Sequence, residues 1–310
     1  EIPKIAFLFP ENAQKVGDWQ VESIGLHPDY ESATPTNFYY FTQEDARERL
    51  RKRGKYDHKG TFGHALLICG SLGKMGAAVL SSRACLRSGV GLLTVHVPKC
   101  GLDILQISTP EAMCTIDAST DRWTEVPELD KYTTIGVGCG IGTAPDTALA
   151  LKKILETVAR PIVLDADALN ILAQNPDWWA FVPKNSILTP HPKEFERLFG
   201  PTDNQFVRNA LQREMAIRHG VYILLKGANS AIAGPDGKCW FNSTGNPGMA
   251  TGGSGDVLTG IITGLLAQGY SPENAVLLGV YLHGAAGDRA AQKRSQGSMI
   301  AGDIIEEFTI

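Results

Sequence analysis

Apolar residues along this chain follow two rhythms. Short runs that are apolar at nearly every position, at residues 65–69, 92–97, 134–137, 162–164, 186–188 and 222–225, predict strands buried on both faces. Between them, apolar positions recur three or four residues apart at 76–87, 147–158, 193–199, 205–219, 256–267 and 272–290, which predicts helices. Strand and helix alternate from residue 58 onward, so the expected class is α/β, with a mostly parallel central sheet and helices on both faces. Pro235-Asp236-Gly237, between 230–233 and 238–241, breaks the alternation and predicts a hairpin that forms an antiparallel edge.

Before residue 42 the pattern changes. Pro3, Pro10, Pro28 and Pro35 divide short strand-like pieces at 5–9 and 19–24, and no full helix-and-strand unit can be built from them. Residues 1–42 are therefore read as an appendage, the trailing end of an upstream domain or a linker, and 43–310 as the main domain. Thr42, with Asp45 three residues on, predicts the capped start of a joining helix that runs to residue 51. The opening at Glu1, without an initiator Met, leads to the expectation that the chain is a piece of something longer.

Composition narrows the class. The chain has 310 residues, a formal charge of −4 and 43% apolar content, enough for one large α/β core. Its 29 basic residues are scattered among 33 acidic ones, and the densest basic run, 47–55, also carries Glu48, so it reads as a solvated face and not as a nucleic-acid surface. There is no apolar run of membrane length. The six cysteines, at 69, 85, 100, 114, 139 and 239, form no C-x-x-C pair, and inert thiols in a reducing cytoplasm are expected.

In parallel sheets ligands bind beyond the carboxyl ends of the strands, and five loops there carry chemistry. Gly245-Asn246-Pro247-Gly248-Met249-Ala250-Thr251-Gly252-Gly253-Ser254-Gly255-Asp256 leads into an apolar helix, with Leu258, Ile261, Ile262, Leu265 and Leu266 at helical spacing. Four glycines in the eight residues 248–255 let several amide N–H groups converge where the helix dipole is positive, which makes an anion site. Asp256 in the first turn is either a cap or a base that takes a proton from a hydroxyl attacking a held phosphoryl group. Gly70-Ser71-Leu72-Gly73-Lys74-Met75-Gly76 fails as a P-loop, since two residues separate the first glycines and Met75 stands where Ser or Thr is needed. Gly136-Val137-Gly138-Cys139-Gly140-Ile141-Gly142 fails in every register as a Rossmann fingerprint. Both remain loops whose backbone a ligand can approach closely. Asp165 and Asp167, with His191 and Glu194, could hold a hydrated Mg²⁺, or merely cap helices and bond a loop. Lys226-Gly227-Ala228-Asn229-Ser230 ends an apolar strand where nucleotide phosphates would lie.

Together, Lys59-Gly60-Thr61-Phe62-Gly63-His64, Gly76-Ala77-Ala78, Asp165-Ala166-Asp167-Ala168-Leu169-Asn170, Thr189-Pro190-His191-Pro192 with Glu194, Lys226-Gly227-Ala228 and the glycine loop ending in Asp256 carry a resemblance. Over residues 55–310 the chain resembles the ADP/ATP-dependent NAD(P)H-hydrate dehydratases, a family of the ribokinase-like fold that in many bacteria follows an epimerase domain. Pro10-Glu11-Asn12-Ala13 and Gly25-Leu26-His27-Pro28 resemble the end of that epimerase. The resemblance implies dehydration of (S)-NAD(P)H-hydrate back to NAD(P)H, with ADP or ATP as phosphoryl donor and Mg²⁺ as cofactor. It implies catalysis by Asp256 with the amides of Gly253, Ser254 and Gly255. The hydrate would be bound by Ala78, Gly140, His191 and Asp256, and the nucleotide by Lys226, Gly227, Ala228, Asn229, Ser230 and Gly255. Glu194, with Asp165 as a weaker candidate, would organise Mg²⁺ through water. Two departures are Ser230, where relatives often have Thr, and Cys139, where Pro is usual. Self-association is expected, as a tetramer by resemblance, with apolar residues to spare on the helix from Pro272; no nucleic acid or membrane partner is expected. The alternatives are a ribokinase-like kinase for a vitamin-precursor alcohol or sugar, which needs the same loop and base, and a nucleotide sensor without catalysis.

Overall fold

One sheet of ten strands runs through the computed structural model, which describes residues 3–17, 19–22 and 24–310. The strands are β1 Phe38–Phe41, β2 His64–Ile68, β3 Leu92–Val97, β4 Met113–Ile116, β5 Thr134–Val137, β6 Val163–Leu164, β7 Ile187–Leu188, β8 Tyr222–Leu225, β9 Ala231–Ala233 and β10 Cys239–Asn242. Their order across the sheet is β1-β10-β9-β8-β7-β6-β5-β2-β3-β4. Only β9 runs against the rest, pairing antiparallel with both β8 and β10. The helices are α1 Ala13–Val16, α2 Pro28–Ala33, α3 Gln43–Arg49, α4 Met75–Arg87, α5 Leu102–Ser108, α6 Pro145–Thr157, α7 Ala166–Gln174, α8 Pro192–Phe199, α9 Gln205–His219, α10 Ser254–Ala267, α11 Pro272–Arg294 and α12 Ala301–Glu306.

Alternate side chains of each strand feed opposite cores. Leu66 and Ile68 pack with Leu151 and Ile154 of α6 and Leu169 and Leu172 of α7. Ala65 and Leu67 face the other way, onto Ala78 and Cys85 of α4. On that second face Leu224 and Ile232 meet α10 and α11. A sheet sealed on both sides needs strands apolar at every position, and the central runs are written that way.

Two glycines fix the placement of α10. A Cβ on Gly260 would stand 2.1 Å from the Ser81 carbonyl oxygen, and one on Gly264 would stand 1.9 Å from Ser88 Oγ. The backbones of α4 and α10 therefore lie in direct contact. Both helices start at the carboxyl end of the sheet, so their N-termini come side by side.

The main α/β body is as expected, but the chain's first 42 residues are not free of it. β1 pairs in parallel with β10, which makes β1 the sheet edge and leaves the predicted hairpin inside. The four-residue run Phe38–Phe41 looks too short to be a strand by itself. Distant partners hold it: Tyr39 stacks on Trp240 at 4.3 Å, and Phe41 is fully buried. The capping box at Thr42 and Asp45 is present, and α3 ends at Arg49. Residues 5–8 form a 3-10 turn in place of a strand, and the described residues of 19–24 contain none. β4, α5, α7 and α12 were not anticipated.

Candidate active site

Parallel strands end on one side of the sheet, and β2, β5, β6, β7 and β8 deliver Gly70, Gly138–Gly140, Asp165, His191 and Lys226 to a common rim. The order reverses between β2 and β5, the place in such sheets where ligands bind. A cleft of ≈ 460 Å³ opens there, walled by Gly73, Lys74, Gly76 and Ala77 on one side and by Gly252, Gly253 and Asp256 on the other, with Gly140 and Asp167 below.

The glycine loop works in two parts. Its upstream half is a mount: the Gly245 amide and the Asn246 side chain donate to Asp288 of α11 at 3.0 and 2.9 Å. Its downstream half turns through Gly253, whose φ of +91° no side chain would favour, and enters α10. The first-turn amides of that helix have no carbonyl of their own helix to bond. Ser254 beside them is held by the buried His283 of α11, Oγ to Nε2 at 3.4 Å. Burial pushes His283 down to about 4 against the Ser254 backbone bond, so the ring is neutral and adds no charge.

Asp256 lies in the first turn but does not cap it, since Gly253 is the N-cap and no side chain bonds there. Burial raises the Asp256 carboxyl above its ordinary range; the Cys139 thiol and Lys226 pull it down, while Asp165 and Asp167 push it further up. A half-buried carboxyl with that balance, in a cleft at the start of α10, has a raised affinity for a proton.

Behind Asp256 lies a paired cluster. Lys226 Nζ donates to Asp165 Oδ1 at 2.9 Å and stands 3.9 Å from Glu194 Oε2, and Thr259 Oγ1 donates to Asp165 Oδ2 at 2.7 Å. Burial works against the charge on Asp165, but Lys226 and the Thr259 hydroxyl outweigh it and hold the carboxyl below its usual range. Lys226 is raised in turn, its own burial outweighed by Asp165 and Glu194. A Cβ on Gly255 would come 3.5 Å from Lys226 Nζ, so the ammonium sits against the start of α10.

His191 is the N-cap of α8, its Nδ1 accepting from the Lys193 and Glu194 amides at 3.1 and 3.3 Å while Glu194 Oε2 accepts from the His191 amide at 2.8 Å. Burial lowers the His191 pKa against the pull of Glu194, and a ring accepting at Nδ1 is neutral with its proton on Nε2, 3.4 Å from Glu194 Oε1. Asp167 caps nothing: its Oδ2 accepts from the Gly142 amide at 2.8 Å and lies 3.6 Å from Lys74 Nζ. Among the described residues no group of three or more His, Cys, Asp or Glu is arranged to hold a metal ion. The ammonium of Lys226 stands between Asp165 and Glu194, 2.9 Å from Asp165 Oδ1 and 3.9 Å from Glu194 Oε2.

The expected site residues fall in three places. Gly140, Gly253 and Asp256 line the cleft, and Ser254 and Gly255 stand at its helix start. Lys226, Glu194, Asp165 and His191 form the adjoining cluster, with Gly227 and Ala228 exposed beyond it, Asn229 half-buried and Ser230 buried. Ala78 is fully buried behind the wall, and Ala77 lines the cleft beside it. Lys74, Thr259 and His283 escaped sequence reasoning. Thr259 alone left a trace, as a hydroxyl three residues past Asp256 in an apolar helix.

A mostly parallel sheet whose carboxyl-end rim sets a glycine loop and helix start beside a half-buried carboxyl belongs to the ribokinase-like class of fold. A solved ribokinase-like superfamily protein from Enterococcus faecalis matches with a TM-score of 0.77 at 28% identity, covering 88% of this chain and 94% of that one. The family model described as NAD(P)H-hydrate dehydratase matches residues 65–309, and the chain belongs to that family. The crystal structure of the ADP/ATP-dependent NAD(P)H-hydrate dehydratase from Bacillus subtilis, co-crystallised with ATP/Mg²⁺, is 35% identical with a TM-score of 0.78 and covers 88% of this chain and 97% of that one. The bifunctional NAD(P)H-hydrate repair enzyme of Moorella thermoacetica is 39% identical over 317 residues, which take in 98% of this chain but only 59% of that relative.

Proposed function

We propose that this chain catalyses the ADP- or ATP-dependent dehydration of (S)-NAD(P)H-hydrate to NAD(P)H. The observation that carries the reading is Asp256, raised by burial and with no cation paired to it, at the glycine-built start of α10 in a family whose name is that reaction. Hydroxide leaves a ring carbon poorly, and phosphate leaves well. Asp256 takes the proton of the ring hydroxyl as its oxygen attacks the terminal phosphoryl group, and the amides of Gly253 to Gly255 stabilise the charge on the transferring oxygens. The phosphorylated hydroxyl then departs as phosphate while the neighbouring ring carbon gives up a proton to water, and the electron pair of that C–H bond re-forms the ring double bond; ADP is left as AMP, or ATP as ADP.

The hydrate lies in the cleft over Gly140 and against Ala77, with Ala78 behind it and His191 at the nucleotide side. The nucleotide runs along Lys226–Ser230 and Gly255, with Lys226 toward its phosphates. Mg²⁺ fits beside Glu194 through water, where it would neutralise phosphate charge; Asp165 serves by holding Lys226. A reducing cytoplasm suits the six free cysteines, and among the described residues no helix is long and apolar enough to cross a membrane. Residues 1–42 are read as the trailing end of an upstream domain or a linker, a reading that the greater length of the bifunctional Moorella relative supports. Self-association, as a tetramer, draws support from the exposed Ile104, Ile107, Met113 and Ile116 at the β4 edge, because the apolar residues of α11 are spent in the core.

The test is direct. Hydrated NADH mixed with the protein, Mg²⁺ and ADP or ATP should regain the near-ultraviolet band of reduced nicotinamide in proportion to phosphate released. No recovery, with phosphorylation of a small alcohol in its place, overturns the reading in favour of a kinase.

A further inference from the structure

The loop Lys226–Ser230 is anchored from two sides. Inside, Lys226 is fixed by Asp165. Outside, the side-chain amide of Asn229 donates at 3.1 Å to the carbonyl oxygen of Leu8, a residue 221 positions earlier in the chain. Between these anchors Gly227 and Ala228 are exposed, with the Gly227 amide donating to Ser230 Oγ at 3.2 Å.

The upstream anchor is itself built in. Leu8 and Phe9 are buried with Ala231, Cys239 and Phe241 at the base of the same hairpin. Phe9 packs edge-on against Phe206 of α9 at 4.5 Å and against Phe241 at 5.9 Å. Glu11 accepts from the first amide of α9, at Gln205, and Asn12 closes its own turn by donating to the Ala6 carbonyl at 2.8 Å. Residues 5–12 thus form two 3-10 turns with their own hydrogen bonds, clamped by rings onto the sheet end that carries the loop. An irregular loop with an exposed glycine would otherwise be among the first parts of a domain to open.

We infer that residues 5–12 are a strap that orders the loop Lys226–Ser230 and thereby sets the affinity for the adenine nucleotide. The inference builds on the proposed nucleotide role of that loop and goes beyond it. The strap is a positioning element: Asn229 spends its side-chain amide on the strap, so what the loop offers a ligand is backbone held in one shape. Ordering it in advance removes an entropy cost from each binding event.

Titration of ADP into the unaltered chain and into Phe9→Ala by calorimetry, with amide exchange at 226–230 followed in the nucleotide-free proteins, tests the strap without relying on turnover. Phe206→Ala is the second variant, because Phe206 is 47% exposed and its loss spares the core if Phe9→Ala does not fold. Losing the equivalent of one net hydrogen bond predicts ADP affinity weaker by about fivefold in both variants, with faster exchange at 226–230 and an unchanged KM for the hydrate. Equal affinity and equal exchange in all three proteins overturn the strap. Absence of ADP binding by the unaltered chain overturns the nucleotide assignment of the loop, while the exchange measurement still decides whether residues 5–12 order it.

Discussion

Asp165 and Asp256 stand on either side of the start of α10, and the chain treats them in opposite ways. Asp165 is 2% exposed and saturated, with Lys226 on one oxygen and Thr259 on the other. Asp256 faces the cleft and has no cation paired to it, and Asp165 and Asp167 add like charge to its burial. The first is therefore held ionised and the second is poised to pick up a proton. Two carboxylates of equal intrinsic strength become a structural anion and a carboxyl with raised proton affinity through their neighbours alone.

The sharpest way to break this contrast is to remove the poised member. Asp256→Asn should cut the rate of NAD(P)H recovery by about a thousandfold, the scale of a lost general base, while ADP affinity stays within about twofold. That split would exclude a nucleotide sensor, which has no turnover to lose. Full activity in the variant would strip Asp256 of its role.

Removing the cation of the saturated pair should act on stability before chemistry. Lys226→Met leaves Asp165 buried and unpaired, a change that costs about 3 kcal/mol in urea unfolding. Asp165→Asn on top of it should return part of that loss, since the second change removes the stranded charge. Because Asp165 is held below the usual carboxylate range, its share of stability is complete at neutral pH and is lost only as pH falls through the depressed value. Additive losses in the double variant would mean that the two residues do not act as a pair.

The contrast was only half legible in the sequence. Asp256 could be placed because a glycine-rich run ends where an apolar helix begins, and local pattern suffices for that. The state of Asp165 could not, since its partners lie 61 and 94 positions away on β8's end and on α10. The same limit hid β1, whose four residues are held by Trp240. Strands covered on both faces, by contrast, announce themselves as unbroken apolar runs, so β3, β5 and β8 fall at their expected residues. Whatever depends on covering a residue from both faces is written locally; whatever depends on which loop meets which is written only in the fold.

The smallest effect, and the most specific, concerns Cys139. It is fully buried on the floor beneath both carboxylates, with Sγ 3.9 Å from Asp165 Oδ2, and its thiol is among the groups that restrain Asp256 from rising further. A base acts only when deprotonated, so activity falls on the acid side as pH drops through the Asp256 pKa, which burial already places above the ordinary carboxylate range. Cys139→Ala takes away a donor that favours the charged form, so the acid limb of kcat/KM should move to higher pH while the rate on the plateau changes little. Asp165, saturated by Lys226 and Thr259, should show no matching change in acid unfolding. A limb that stays in place would show that burial and the neighbouring carboxylates set the poise of Asp256 without the thiol.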